Sequence, residues 1–125
     1  MKQDDPNALW RWSALRLAGA IAAREVSATE ALDSCLARMA QVNPALNAVV
    51  QPLTDEARAA AAAADAAVQR GDALGPLHGV PVTVKVNVDQ RGCATTNGVV
   101  AYGKIVAADD SPVVANLRAA GAVIF

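Results

Sequence analysis

The sequence predicts an α/β protein with its helices first and its sheet after, and three observations predict it. Up to Gly71, helix caps bracket apolar residues spaced three and four apart. Val80-Pro81-Val82-Thr83-Val84 is short, β-branched and bounded by turn residues. Residues 110–125 then read as a capped helix leading into an apolar strand. The expected architecture is a mostly helical lead-in over 1–71, then the first strands of a mixed sheet flanked by helices over 72–125, incomplete within these residues.

A first helix is expected from Ser13 to about Ala23, with Leu17 and Ile21 on its buried side. Ser27-Ala28-Thr29-Glu30 is a capping box, in which the serine oxygen and the glutamate each satisfy an otherwise unpaired amide of the first turn. Leu32, Cys35, Leu36, Met39 and Val42 follow as one apolar stripe, and Asn43-Pro44 is expected to end that helix. Ala48-Val49-Val50 reads as a short buried strand. A third helix has Thr54 as its expected N-cap, Asp55 and Glu56 at the positive end of the dipole, Arg70 in the last turn and Gly71 as its stop. The alanine run Ala59–Ala64 inside it needs no explanation beyond helix propensity.

In the second half, Asp110-Ser111-Pro112 supplies a cap and a first-turn proline, and Val113, Val114 and Leu117 form a helical stripe. Gly121 stops that helix before the strand Ala122-Val123-Ile124-Phe125. Such strands are among the most buried elements of a parallel sheet, so a chain ending flush with one reads as truncated.

Composition narrows the function. Of 125 residues, 54% are hydrophobic and 18% charged, a surface poor in charge that is expected to pack against more chain or another subunit. The formal net charge is -1, with Lys and Arg scattered and few aromatic residues, which argues against a nucleic-acid partner. Met1–Trp12 is polar and no apolar run approaches a membrane span, so a soluble, cytoplasmic protein is expected. Cys35 and Cys93 stand far apart without metal-ligand spacing, so reduced thiols, no metal and no cofactor are expected.

Lys85 is the candidate catalytic residue. It closes the strand Val82-Thr83-Val84 and precedes Val86, so its stem is expected among apolar neighbours. Burial there would favour the uncharged amine, which can accept a proton. Taken alone, a lysine at a strand end is more often a surface residue with a buried stem.

The surrounding string shifts that weighting. Gly75-Pro76-Leu77-His78-Gly79-Val80-Pro81-Val82-Thr83-Val84-Lys85, followed by Asn87, Asp89, Gly92, Thr95-Thr96 and Gly98, resembles the amidase signature family. The likeness is strongest over 75–124 and extends weakly upstream through the capping box, Asn43-Pro44 and Leu46-Asn47-Ala48. It implies that residues 1–125 are the N-terminal part of one amidase-like domain with helices on both sheet faces. It further implies hydrolysis of a carbon-nitrogen amide bond through a serine nucleophile, a second serine in a cis peptide, and a lysine that Lys85 matches. The implied partner is a small-molecule amide.

None of Ser13, Ser27, Ser34 and Ser111 lies in the glycine- and serine-rich stretch the family's pattern requires, so no nucleophile is assigned and these residues alone are expected to be inactive. Within the motif, Val86 stands where an aspartate is common and Val99 where a serine often follows the glycine. Losing that carboxylate should favour the uncharged lysine a little. The same lysine segment occurs in the amidase subunit of tRNA-dependent amidotransferases, so a free-standing amidase and a component of such a complex both stay open. A non-catalytic relative that pairs with a second copy or a complementary chain is the reading from another class.

His78, Asp89 and Cys93 also suggest an imidazole-activated thiolate. Against it, His78 sits in a Pro/Gly loop where its ring can bond a backbone carbonyl, and Cys93 follows Gly92 as a small turn or core residue. The segment Gly98–Gly103 lacks the Gly-Lys-Ser/Thr of a phosphate loop.

Overall fold

A computed structural model describes residues 8–125. The polar start expected at residues 1–7 lies outside the described residues. A short 3-10 turn, Leu9–Arg11, leads into helices α1 (Ala14–Ala22), α2 (Ala28–Leu46) and α3 (Thr54–Arg70). Strand β1 (Pro81–Val82), a second 3-10 turn (Val100–Tyr102), helix α4 (Pro112–Ala119) and strand β2 (Val123–Ile124) follow. No described helix is long and apolar enough to cross a membrane.

The start of α2 is fixed twice. Within the helix, Ser27 Oγ accepts the Glu30 amide at 3.0 Å while Glu30 Oε2 accepts the Ser27 amide at 2.8 Å, the expected capping box. From α3, the Asp65 carboxylate accepts the amides of Ala28 and Thr29 at 2.6 and 3.1 Å and the Thr29 hydroxyl at 2.6 Å. A negative group on unpaired amides at a helix N-terminus is favourable both as a hydrogen bond and against the dipole. No local pattern points to Asp65, because its partners lie 36 and 37 residues away.

Two expected boundaries move. Helix α2 runs through Pro44 to Leu46 and closes on Asn47 in the left-handed conformation, φ 51°. Pro44 withdraws one amide from the helix ladder, and Asn43 beside it fastens the next loop, with its side chain 2.9 Å from both the amide and the carbonyl of Val49. Helix α3 starts one residue early: Thr54 is already helical, and Leu53 precedes it without a side-chain cap. Asp55 and Glu56 are left to answer the dipole, while Gly71 closes the far end at φ 76° as expected.

Helices α2 and α3 pack through small side chains. Ala57, Ala61, Ala64 and Val68 form the buried stripe of α3, facing the core with Ala28, Ala31, Leu32 and Leu36 of α2. Of the stripe expected on α2, Leu32 and Leu36 are buried, while Cys35, Met39 and Val42 are half-buried. Leu17 and Ile21 of α1 enter the same core, as expected.

The α/β class holds, with a small sheet behind the helices. β1 and β2 pair in parallel, Pro81 opposite Val123 and Val82 opposite Ile124, with α4 between them in sequence. Of the expected strand Val80–Val84, Pro81–Val82 is paired among the described residues, with Val123 donating to Val80 O at 2.8 Å and Phe125 to Val82 O at 3.1 Å. Ala48–Val50 forms no strand, and Val50 is 61% exposed. Without a neighbouring ladder, its β-branched residues have nothing to pair with.

Just before β1, the turn Gly75–Gly79 docks on the end of α4. Leu77 donates to Ala120 O and Gly79 to Gly121 O, both at 2.9 Å. The fit requires glycine at 121: its φ is 89°, and a Cβ there would lie 2.8 Å from His78 Cα. This turn aims the chain from β1 into the lysine segment.

Candidate active site

After β1, exposure alternates from residue to residue as the chain runs into a turn at 86–88. Val84, Val86 and Val88 are half-buried, while Thr83, Lys85, Asn87 and Asp89 are exposed. Lys85 is thus the exposed residue between two half-buried valines. Its expected burial is therefore not found among the described residues. Lys85 instead lines an open cavity of about 600 Å³.

One wall of this cavity is the lysine strand, Thr83 to Val86, continuing through Val88 to Gln90, Cys93 and Ala94. The loop after α2, Asn47 to Gln51, faces it, with Leu53 and Phe125 completing the lining. Thus the segment expected as a strand contributes a cavity wall. A second cavity of about 430 Å³ shares Gln51, Leu53, Gln90 and Cys93 with the first and adds Glu56, Asp110 and Arg118.

The floor of the site is held by short-range ties. Val88 donates to Lys85 O at 2.9 Å, turning the chain after the lysine. The Thr95 hydroxyl donates to Asp89, and Thr96 Oγ1 accepts the Gly98 amide at 3.2 Å, so both threonines brace the loop. Gly92 donates to Ala107 O at 3.0 Å and Ala107 to Cys93 O at 2.9 Å, clamping the two arms of the segment together.

Asp110, expected only as part of a helix cap, has a different role. Ser111 caps α4, its Oγ accepting the Val114 amide at 3.4 Å. Asp110 accepts the Arg91 amide and the Arg118 guanidinium, each at 2.8 Å. The Arg91 amide first, and then Arg118, hold its carboxyl below the usual aspartate range.

The alternative constellation is taken up by local bonds. His78 Nε2 lies 2.9 Å from Ala64 O, so its ring bonds a backbone carbonyl as its loop suggests. Asp89 is bound to Thr95. Burial pushes the Cys93 thiol up, helped by the Glu56 carboxylate, which opposes the thiolate a nucleophile needs. The Cys35 thiol is likewise raised by burial. The serines also have local partners: Ser13, Ser27 and Ser111 cap helices, and Ser34 Oγ accepts the Trp10 amide at 3.2 Å.

Sequence reasoning missed Gln90. It is the one buried residue between Thr83 and Asp110, and it borders both cavities. A lone glutamine between an aspartate and an arginine carries no local signal of burial.

Comparison with known proteins adds to this geometry. The sequence model of the Amidase family matches residues 30–125. Over 116 residues the chain is 49% identical to an indoleacetamide hydrolase of Bradyrhizobium diazoefficiens, covering 93% of this chain and 22% of that protein. It is 43% identical over 116 residues to the A subunit of the glutamyl-tRNA(Gln) amidotransferase of Acidothermus cellulolyticus, covering 93% of this chain and 23% of that one. Among solved structures, the native peptide amidase of Stenotrophomonas maltophilia superposes with a TM-score of 0.85 at 32% identity, over 96% of this chain and 25% of that chain. The chain thus spans about a quarter of the length of the relatives it matches.

Proposed function

The chain belongs to the amidase family, and on that premise we propose that it is the N-terminal part of one amidase domain, with Lys85 as the proton acceptor for hydrolysis of a carboxylic amide. The observation that carries this reading is the position of Lys85. The residue that matches the family's lysine is also the one that a turn, a strand and an alternating segment deliver to a cavity large enough for a small molecule.

In the proposed reaction, the Lys85 amine accepts a proton from a serine in a cis peptide, and that serine deprotonates the nucleophilic serine. The nucleophile's Oγ forms a bond to the amide carbon, the carbon-nitrogen bond breaks, and the leaving amine takes up the proton. Water then releases the acid by the reverse relay. Both serines come, in this reading, from sequence outside these 125 residues, since each serine present is committed to a helix cap or to the Trp10 amide. The same missing sequence would cover Lys85 and withdraw its amine from water. The exposed Val99, Val100, Tyr102, Ile105 and Val106 support such a cover.

For the substrate we propose an arylacetamide of the indoleacetamide kind, supported by 49% identity to a protein of that name. A second reading is favoured by four glutamyl-tRNA(Gln) amidotransferase components at 42–45% identity. Here the protein would release ammonia from an amide donor for partner subunits. The natural protein decides between them: hydrolysis of indole-3-acetamide without any partner supports the free-standing enzyme, and co-purification with partner subunits, with no hydrolysis of that amide, supports the second. Hydrolysis left intact by Lys85→Ala would overturn the mechanism in either form.

A further inference from the structure

Gln90 is an unusual residue for its place. Its neighbours along the segment are exposed or half-buried, yet only 6% of Gln90 is exposed. Burying a carboxamide is costly unless its carbonyl and its N–H groups find partners, and most buried amides have them. Among the described residues its backbone carbonyl accepts the Cys93 amide at 2.9 Å, but no hydrogen bond reaches its side chain. Nor are its side-chain atoms sealed away, since the Trp12 indole nitrogen is the only fully enclosed side-chain group without a partner among the described residues.

Gln90 lines the Lys85 cavity on one side and the Asp110–Arg118 cavity on the other, so these two cavities are where a partner for its side-chain amide can enter. Around it the first cavity is largely apolar, with Val84, Val86, Val88, Ala94 and Phe125 in its lining. A few convergent polar groups in an apolar cavity are what fix a ligand's orientation.

We propose that Gln90 is a specificity-determining residue of the Lys85 cavity, selecting a carboxamide over the corresponding ester; this rests on reading that cavity as the amidase site. A carboxamide offers an acceptor, Oε1, beside a donor, Nε2, and the group that satisfies both is another carboxamide, with its carbonyl oxygen and N–H side by side. An ester presents the carbonyl but has no N–H for Gln90 Oε1, which the bound ester would shut off from water without pairing. A site built to bond an N–H rejects the analogue that lacks it, because its own polar group then loses its partner.

The test uses the natural protein carrying Lys85→Ala, in which turnover is expected to be lost so that binding can be measured directly. Dissociation constants are determined for indole-3-acetamide and methyl indole-3-acetate, with Gln90 intact and as Gln90→Met, which keeps the chain length and apolar stem. Gln90→Glu, close to isosteric but without the N–H donors, is the second variant, and thermal unfolding checks that each folds. The expected result is that amide binding weakens about tenfold in Gln90→Met while ester binding stays within about twofold, removing the preference. The proposal is overturned if amide and ester shift together, or if neither shifts in either variant. The parent reading fails separately: hydrolysis that persists in Lys85→Ala removes the role of that residue, and the amide-to-ester ratio of kcat/KM with and without Gln90→Met then decides Gln90.

Discussion

The helical layer from Ala14 to Arg70 and the segment from Thr83 to Asp110 are of similar importance to the molecule and are built on opposite principles. In the first, Ala28, Ala31, Leu32, Ala57 and Ala61 are fully buried, and the start of α2 is capped both from within and from α3. In the second, one short 3-10 turn is the only helix, Gln90 is the only buried residue, and Val100 stands 95% exposed. Apolar burial holds the first region together, while backbone bonds and two threonines hold the second. The contrast is between a packed scaffold and an irregular, open segment, and the proposed function adds a division of labour, with stability in the first and the proposed proton acceptor in the second.

That division can be broken from either side. The largest expected effect is on the open segment: Lys85→Ala in the natural protein should lower amide hydrolysis by roughly 10²–10⁴-fold. Within residues 1–125, where Lys85 is exposed, the same substitution should shift unfolding in urea by no more than about 0.5 kcal/mol. A comparable loss of stability would mean that the lysine belongs to the scaffold after all.

Leu32→Ala makes the converse cut. Leu32 has no exposed surface, and its truncation should cost about 2–5 kcal/mol in a urea titration. If the two regions are separable, the fraction that remains folded should keep its affinity for amide. A midpoint close to wild type would show that the core is looser than its burial implies.

Asp65→Ala probes the tie between α2 and α3. It leaves the local capping box intact and removes only the bonds from the other helix, so a loss of about 1–2 kcal/mol is expected. An unchanged midpoint would mean that the box alone caps α2.

The smallest effect concerns pH. The Asp110 carboxyl titrates below its ordinary value of 3.8, so the folded state favours its charged form. Its contribution to stability is therefore complete above that value and disappears as pH falls through the lower folded value. Asp110→Asn should flatten the acid limb of a stability–pH curve in that window and leave the curve near neutrality parallel to wild type. An acid limb identical to wild type would remove Asp110 as a brace between Arg91 and α4.

How far each region could be read in advance follows from the range of its interactions. The capping box at Ser27, the Ser111-Pro112 start and the Gly71 and Gly121 stops were all legible, because each depends on atoms within a few residues along the chain. The family was legible as well, from Gly75 to Lys85 and the residues up to Gly98. Pro44 and Thr54 departed from their local preferences: α2 runs through Pro44 to stop at Asn47, and the chain enters α3 at Leu53 without a side-chain cap. The strand expected at Ala48–Val50 failed because β propensity needs a partner to act on.

The order of the helices, the caps at Ser27 and Ser111, the stops at Gly71 and Gly121 and the α/β class were determined by the sequence by itself, since each is a matter of short-range sterics and hydrogen bonding. Which side of the alternating segment faces water, and hence that Lys85 is exposed on a cavity, was decided only when β1 paired with β2 and the turn docked on α4. The same holds for Asp65 on the start of α2, for Asp110 between Arg91 and Arg118, and for Gln90 in its buried place. Each of these depends on groups remote in the chain being brought within a few ångströms, and no spacing of residue types encodes such a meeting.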